Sequence, residues 1–220
     1  MSRSPFDPDF DQLPPEIPIF PLPGVLLLPG GRLPLNVFEP RYLAMVEDAL
    51  AGPRAIGMLQ PCEEADDVGA ARTYDTGCLG RITAFSETED GRYLITLSGL
   101  VRFDVTAELS QRQGYRRVAA DYGRFRSDLE QAGGEIDRGR LLQALGDYFD
   151  ANGIEGDWDA IEEAENEALV TSLAMICPFA APEKQALLEA MTLPDRAEAM
   201  TAIMEMSAHD GGDDERAARH

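Results

Sequence analysis

Apolar residues recur at every second position through the first half of this chain and at helical spacing through the second. The change falls across Gly133-Gly134. Alternation places successive side chains on opposite faces of a strand, whereas a spacing of three and four residues lines one face of a helix. Short apolar runs over 14–38, broken by Pro18, Pro21, Pro23 and the turn Pro29-Gly30-Gly31, predict two or three strands. One helix interrupts this half near 40–51. Tyr42, Met45, Val46 and Ala49 form its apolar face, with Pro40 in its first turn and Gly52-Pro53 at its end. Further strands are expected at Ala55–Gln60, Gly77–Ser86, Tyr93–Leu97, Leu100–Val105 and Tyr115–Tyr122, with a loop over Glu63–Ala71 and a hairpin turn at Glu89-Asp90-Gly91.

Helical spacing takes over at Ile136–Ala151. A second helix is expected to be capped by Asp159 and to bury residues from Ile161 to Ile176, ending at Cys177-Pro178-Phe179. Pro182 and Pro194 open two more, reaching Ala190 and Ser207. The expected fold class is α+β. The expected parts are a flexible N-terminal arm over 1–13, a β-rich unit over 14–126, a linker over 127–134, a helical unit over 135–208 and a disordered acidic tail over 209–220.

Charge narrows the partners. The 220 residues carry a net charge of −21, of which −15 falls in residues 120–220, and Lys184 is the only lysine. Such a field repels phosphate backbones and anionic lipid, which argues against nucleic acid and membrane partners. Arg112, Arg116 and Arg117 form the one locally basic stretch, read as a solvated strand edge. Cys62, Cys78 and Cys177 are widely spaced and read as buried free thiols of a reducing compartment. The acidic, proline-rich start does not resemble a signal peptide, and no apolar run approaches the ~20 residues of a membrane helix. A cytoplasmic location is expected.

Groups for catalysis are missing from the expected core. Both histidines, His209 and His220, lie in the tail, so neither a Ser-His-Asp arrangement nor a histidine-rich zinc site fits. Gly24 to Gly31 lacks the Gly-Lys-Ser/Thr of a phosphate loop. Lys184, at the start of a short helix, reads as exposed, whereas an activated lysine requires desolvation. The carboxylate pairs Glu63-Glu64, Asp66-Asp67, Glu162-Glu163 and Asp213-Asp214 lack the glycine turn of a calcium loop. They read as solvated faces. Met200, Ile203 and Met204 are spaced as a core face, which favours packing over an adaptable methionine surface. No catalytic residue, cofactor or metal is therefore expected.

Three blocks carry a family resemblance. The first runs from Pro18-Ile-Phe-Pro-Leu-Pro to Phe38-Glu-Pro-Arg-Tyr42. The second is Gly77-Cys-Leu-Gly-Arg-Ile82 with Tyr93-Leu-Ile-Thr-Leu-Ser-Gly-Leu-Val-Arg-Phe103. The third is Leu169 to Phe179, followed by Glu183 to Glu189 and Asp195-Arg196. Together they resemble the Lon substrate-binding domain, the N-terminal module of the Lon protease family, over roughly residues 14–208. The resemblance implies a PUA-like pseudo-barrel followed by a small helical bundle. It also implies a stand-alone, non-peptidase, non-enzymatic module that binds unfolded or partner polypeptide, as a recognition domain or adaptor. The alternative is a small-molecule or RNA-binding PUA-like domain. The oligomeric state is left open.

One site is expected. Val25 to Leu28 are apolar at four consecutive positions, so either both faces are buried or one forms an apolar groove. In the second case Leu28, Pro29 and Phe38 line it. Arg41 then holds a peptide carbonyl or carboxylate, and Tyr42 supports the turn from the core.

Overall fold

The computed structural model describes residues 4–65, 71–130 and 133–217. Its six-stranded sheet is formed by β1 (Glu16–Pro21), β2 (Arg32–Val37), β3 (Ala55–Leu59), β6 (Thr76–Glu87), β7 (Tyr93–Arg112) and β8 (Tyr115–Asp121). A separate ribbon pairs β4 (Pro61–Ala65) with β5 (Ala71–Thr73), where the sequence suggested a loop. Asp66 and Asp67 lie outside the described residues.

The long strand β7 closes the sheet on itself. Its first half pairs with β2 on one side and β6 on the other, and its second half pairs with β8. β8 then pairs antiparallel to β1, β1 parallel to β3, and β3 antiparallel to β6. The ring β7-β6-β3-β1-β8 is thus a small barrel, and β2 is added outside it as an edge strand. Alternation decides what fills it: Ile17, Ile19, Leu59, Leu79, Val101, Phe103 and Val118 point inward. A Cβ on Gly77 would stand 2.8 Å from the Phe103 ring and 2.5 Å from the Met58 carbonyl, so the barrel closes tightly only over a glycine. The expected interruption at Ser98-Gly99 is a bulge inside one continuous strand, where Leu79 pairs with Val101 but Gly80 with Gly99.

Alternate residues of the same strands face outward onto helices. α1 (Pro40–Leu50) buries Tyr42, Met45, Val46 and Ala49, the face read from the sequence. The helical half comprises α2 (Arg138–Asn152), α3 (Trp158–Glu163), α4 (Asn166–Ile176), α5 (Ala181–Glu189) and α6 (Leu193–Ala217). The single helix expected from Asp159 to Ile176 is two. Asp157 caps α3 by accepting from Ala160 N at 3.1 Å. The chain then breaks at Ala164 and Glu165, which are extended. Arg138 stabilises the break by donating to the Ile161 and Glu162 carbonyls at 2.8 and 2.9 Å and to Asn166 Oδ1 at 2.9 Å. α6 continues to Ala217, into the stretch expected as a disordered tail. The Gly211-Gly212 pair weakens a helix by about 1 kcal/mol per glycine and does not by itself end one. Met200 and Met204 are fully buried, as their spacing predicts.

Residues 4–13, expected as a flexible arm, carry contacts to the barrel. Asp7 pairs with Arg81 at 2.9 Å, and Arg126 lies over the Phe10 ring at 4.3 Å. Tyr122 donates its hydroxyl to the Pro14 carbonyl at 2.8 Å, and Tyr115 donates to Asp48 Oδ2 at 2.7 Å. Burial, then the bond to Asp48, pushes the Tyr115 phenol up to about 12, and burial raises Tyr122 as well. The folded state therefore holds protons that the unfolded chain releases near pH ~10. Stability from these groups is complete below that pH and is lost as pH rises through the folded values. The melting temperature is expected to hold to about pH 9.5 and to fall above about pH 10. Replacing both tyrosines by phenylalanine should flatten this alkaline slope; an unchanged slope would assign it to other groups.

Candidate polypeptide-binding surface

The open end of the sheet presents apolar side chains that nothing covers among the described residues. Here β2, β7 and β6 run side by side, with Asn36 opposite Leu94 and Leu94 opposite Ser86. Pro34 and Ala84 flank Thr96 in the same way. Core-facing Val37, Ile95 and Leu97 hold the strands in register from beneath. The outward face, bearing Pro34, Asn36, Ala84, Ser86, Leu94 and Thr96, borders a shallow hollow of about 430 Å³, whereas Phe85, paired with Ile95, points to the opposite side, toward α1. Leu94 is 45% exposed and Phe85 40% exposed. Phe85 rests edge-on against Tyr93, whose hydroxyl donates to Glu47 at 2.8 Å. β2 is the terminal strand of this sheet, so its far side is an unpaired edge, and Pro34 sits where a missing N–H costs no ladder bond. An extended segment has both requirements here: backbone partners along an edge and apolar seats beside it.

The residues of the expected groove do not meet on one open surface. Leu28 is fully buried, together with Leu26 and Leu27, and Val25–Leu28 lies outside the strands of the sheet. Pro29 is a wall of a different, polar hollow, shared with Arg102, Asp128 and Arg196. Phe38 is 60% exposed, with Arg92 over its ring at 5.4 Å. Arg41 is exposed, but its guanidinium is bound to Glu39 at 2.8 Å and lies over the Tyr42 ring. The basic stretch is also spoken for: Arg112 pairs with Asp48, Arg116 with Glu108 and Arg117 with Glu16.

The polar hollow beside Pro29 is a structural joint. Arg102, on the outward face of β7, is 1% exposed. It grips both carboxylate oxygens of Asp128 at 2.7 and 2.9 Å and donates to the carbonyls of Leu188, Ala190 and Met191. Those carbonyls finish α5 and the turn after it, where positive charge suits the helix dipole. Arg196 of α6 binds the Leu187 and Ala190 carbonyls, and its burial, then the neighbouring Arg102 charge, draws it down to about 10. Lys184, read from sequence as exposed, is 5% exposed and donates to the Gly24 carbonyl at 2.6 Å. The correction has a simple cause: α5 lies with this face against the barrel, so Lys184 and Gln185 cross the joint, the latter donating to the Thr76 carbonyl at 3.2 Å.

Reactive groups are poorly placed for chemistry. Burial raises the Cys78 thiol strongly and Cys177 to about 11. His209 Nδ1 lies 2.7 Å from the Glu205 carbonyl, and His220 falls outside the described residues. No helix among the described residues is long and apolar enough to cross a membrane.

Comparison with known proteins agrees with this architecture. The chain is 34% identical over 112 residues to Lon protease 2 of Myxococcus xanthus, covering 50% of this chain and 13% of that protein. With the Lon protease of Elusimicrobium minutum it shares 24% identity over 208 residues, 90% of this chain and 24% of the relative. The chain thus spans a small fraction of the length of the relatives it matches. Its fold resembles the Lon N-terminal domain protein from Xanthomonas campestris, with a TM-score of 0.60 at 24% identity, over 85% of this chain and 97% of that one. It also resembles the N-terminal domain of Mycobacterium avium complex Lon protease, with a TM-score of 0.58 at 15% identity, over 86% and 97%. The model of the ATP-dependent protease La (LON) substrate-binding domain matches residues 16–206, and the chain belongs to that family.

Proposed function

We propose that this chain recognises extended, apolar polypeptide at the open end of its sheet, and that it does so without chemistry of its own. The carrying observation is the exposed Leu94 beside the terminal strand β2. Family membership supports substrate recognition as the general role. Recognition without turnover is supported by the state of the polar groups: Arg102, Arg196 and Lys184 are committed to main-chain carbonyls. A cytosolic role as an adaptor that presents polypeptide to separate machinery follows from the same reading. Hydrolysis of ATP or of a bound polypeptide by the purified chain would overturn it.

The test is fluorescence anisotropy with a labelled peptide that alternates valine or leucine with serine and so resists helix formation. Leu94→Asp places a charge in the hollow but replaces a side chain that is 45% exposed, so the fold should hold. Affinity is expected to fall by about tenfold or more, a loss of at least ~1.4 kcal/mol. The melting temperature should stay within about 2 °C. Unchanged affinity in a folded Leu94→Asp variant would remove this surface from consideration.

A further inference from the structure

A second apolar hollow lies on the helical half, away from the sheet. It has a volume of about 440 Å³, within the range of specific ligand sites. The end of α2, the turn after it, α3 and α4 enclose it. Its walls are Phe149, Ile154, Ile161, Leu169, Leu173 and Ile176. Ile176 is 72% exposed although it ends a helix whose other large aliphatics, Leu169, Val170 and Leu173, are buried. The hollow exists because α3 and α4 are separate helices, and Arg138 fixes the break between them.

The charge around it is one-sided. From Leu141 to Glu183 inclusive the sequence has ten acidic residues and no lysine or arginine, although Glu167 among them lines the hollow of Arg102 and Arg196 instead. Glu155 and Asp157 stand in the lining itself. Arg138 at the α3–α4 break offsets one of these charges, and Lys184 turns away to the Gly24 carbonyl, so acid stays in excess. We propose that the hollow docks an amphipathic helix of a partner polypeptide, with leucine-like residues on one face and lysine or arginine along its flanks. Helices α2 to α4 offer no strand edge, so an extended segment gains no backbone pairing here. Side chains spaced i, i+3, i+4 on a helix can enter such a hollow together. A second copy of this chain is a poor occupant, because it would bring the same acidic lining, Glu155 and Asp157, face to face with this one. The proposal does not depend on the sheet-end surface, and the two can fail separately.

Trp158, the only tryptophan, makes the site self-reporting: it is 40% exposed and its ring lies 5.9 Å from Phe149, a wall of the hollow. The experiment titrates the full chain with an amidated leucine–lysine peptide, leucines at i, i+3, i+4 and i+7, and follows Trp158 emission. A saturable emission shift is expected, weakened about tenfold or more by Ile176→Asp and to a lesser degree by Glu155→Lys. Both replaced side chains are exposed, and a thermal melt checks the fold. A scrambled peptide of identical composition should bind about tenfold more weakly, whereas Leu94→Asp should bind the helical peptide as the parent does. Equal binding of the scrambled peptide would reduce the effect to bulk charge and overturn the proposal. So would unchanged affinity in a folded Ile176→Asp variant. Sedimentation showing a concentration-dependent dimer that Ile176→Asp abolishes would assign the hollow to a second copy and overturn it too.

Discussion

Replacing Arg102 by leucine is expected to cost about 3–5 kcal/mol, a large share of the ~5–15 kcal/mol that holds a domain folded. The side chain makes a bidentate pair with Asp128 and satisfies the carbonyls of Leu188, Ala190 and Met191. Leucine fills part of the space but leaves Asp128, only 8% exposed, without its cation. Lysine should not rescue, since a single ammonium cannot reproduce the planar fork across a carboxylate and three carbonyls. The double variant Arg102→Leu, Asp128→Leu should recover part of the loss, because it removes the stranded charge. The location of the joint adds a second signature. Trp158 reports the helical half, while β-sheet circular dichroism reports the barrel. In the single variant the Trp158 transition is expected at lower urea than the sheet transition. Coincident transitions at the parent's midpoint would show that Arg102 does not hold the halves together.

Much of this fold was legible from periodicity because the relevant forces are local. Ile17 and Ile19 alternate into the barrel, and the α1 face from Tyr42 to Ala49 follows helical spacing without exception. The joint was not legible. Lys184 and Gly24 are 160 residues apart in sequence, and nothing near Lys184 announces that its helix turns this face inward. The same limit hid the break at Ala164, which depends on a guanidinium from α2. It also hid the candidate surface: Leu94 occupies an ordinary position in an alternating strand, and its exposure follows from the helices packing on the opposite face of β7, against Ile95 and Leu97. Val25–Leu28 is a stretch the sequence leaves open. Four consecutive apolar residues permitted either full burial or a groove, and the packing of Leu26, Leu27 and Leu28 under the Gly30–Gly31 turn takes the first course.

That packing makes Gly99 the most sensitive glycine to test. Its N–H donates to the Gly31 carbonyl at 2.9 Å and its carbonyl accepts from Gly30 at 3.0 Å, which lashes the 25–31 segment to the bulge of β7. A Cβ on residue 99 would stand 2.0 Å from the Leu28 carbonyl oxygen and 2.8 Å from its carbon. These are backbone atoms, and the oxygen already accepts from Gly31 N at 2.9 Å, so no side-chain rotation relieves the clash. The segment must shift as a unit, drawing Leu26, Leu27 and Leu28 out of a core where each is at most 2% exposed. Gly99→Ala is therefore expected to cost about 3 kcal/mol or more, at the upper end of overpacking penalties. For a chain of this size that corresponds to a fall in melting temperature of roughly 10 °C. Gly133→Ala is the matched control: nothing lies within 4 Å of its added Cβ, and its cost should stay within about 0.5 kcal/mol. Thermal melts of the two variants decide the matter. If Gly99→Ala melts within about 2 °C of the parent, the close approach of Leu28 to β7 does not hold the apolar segment in place.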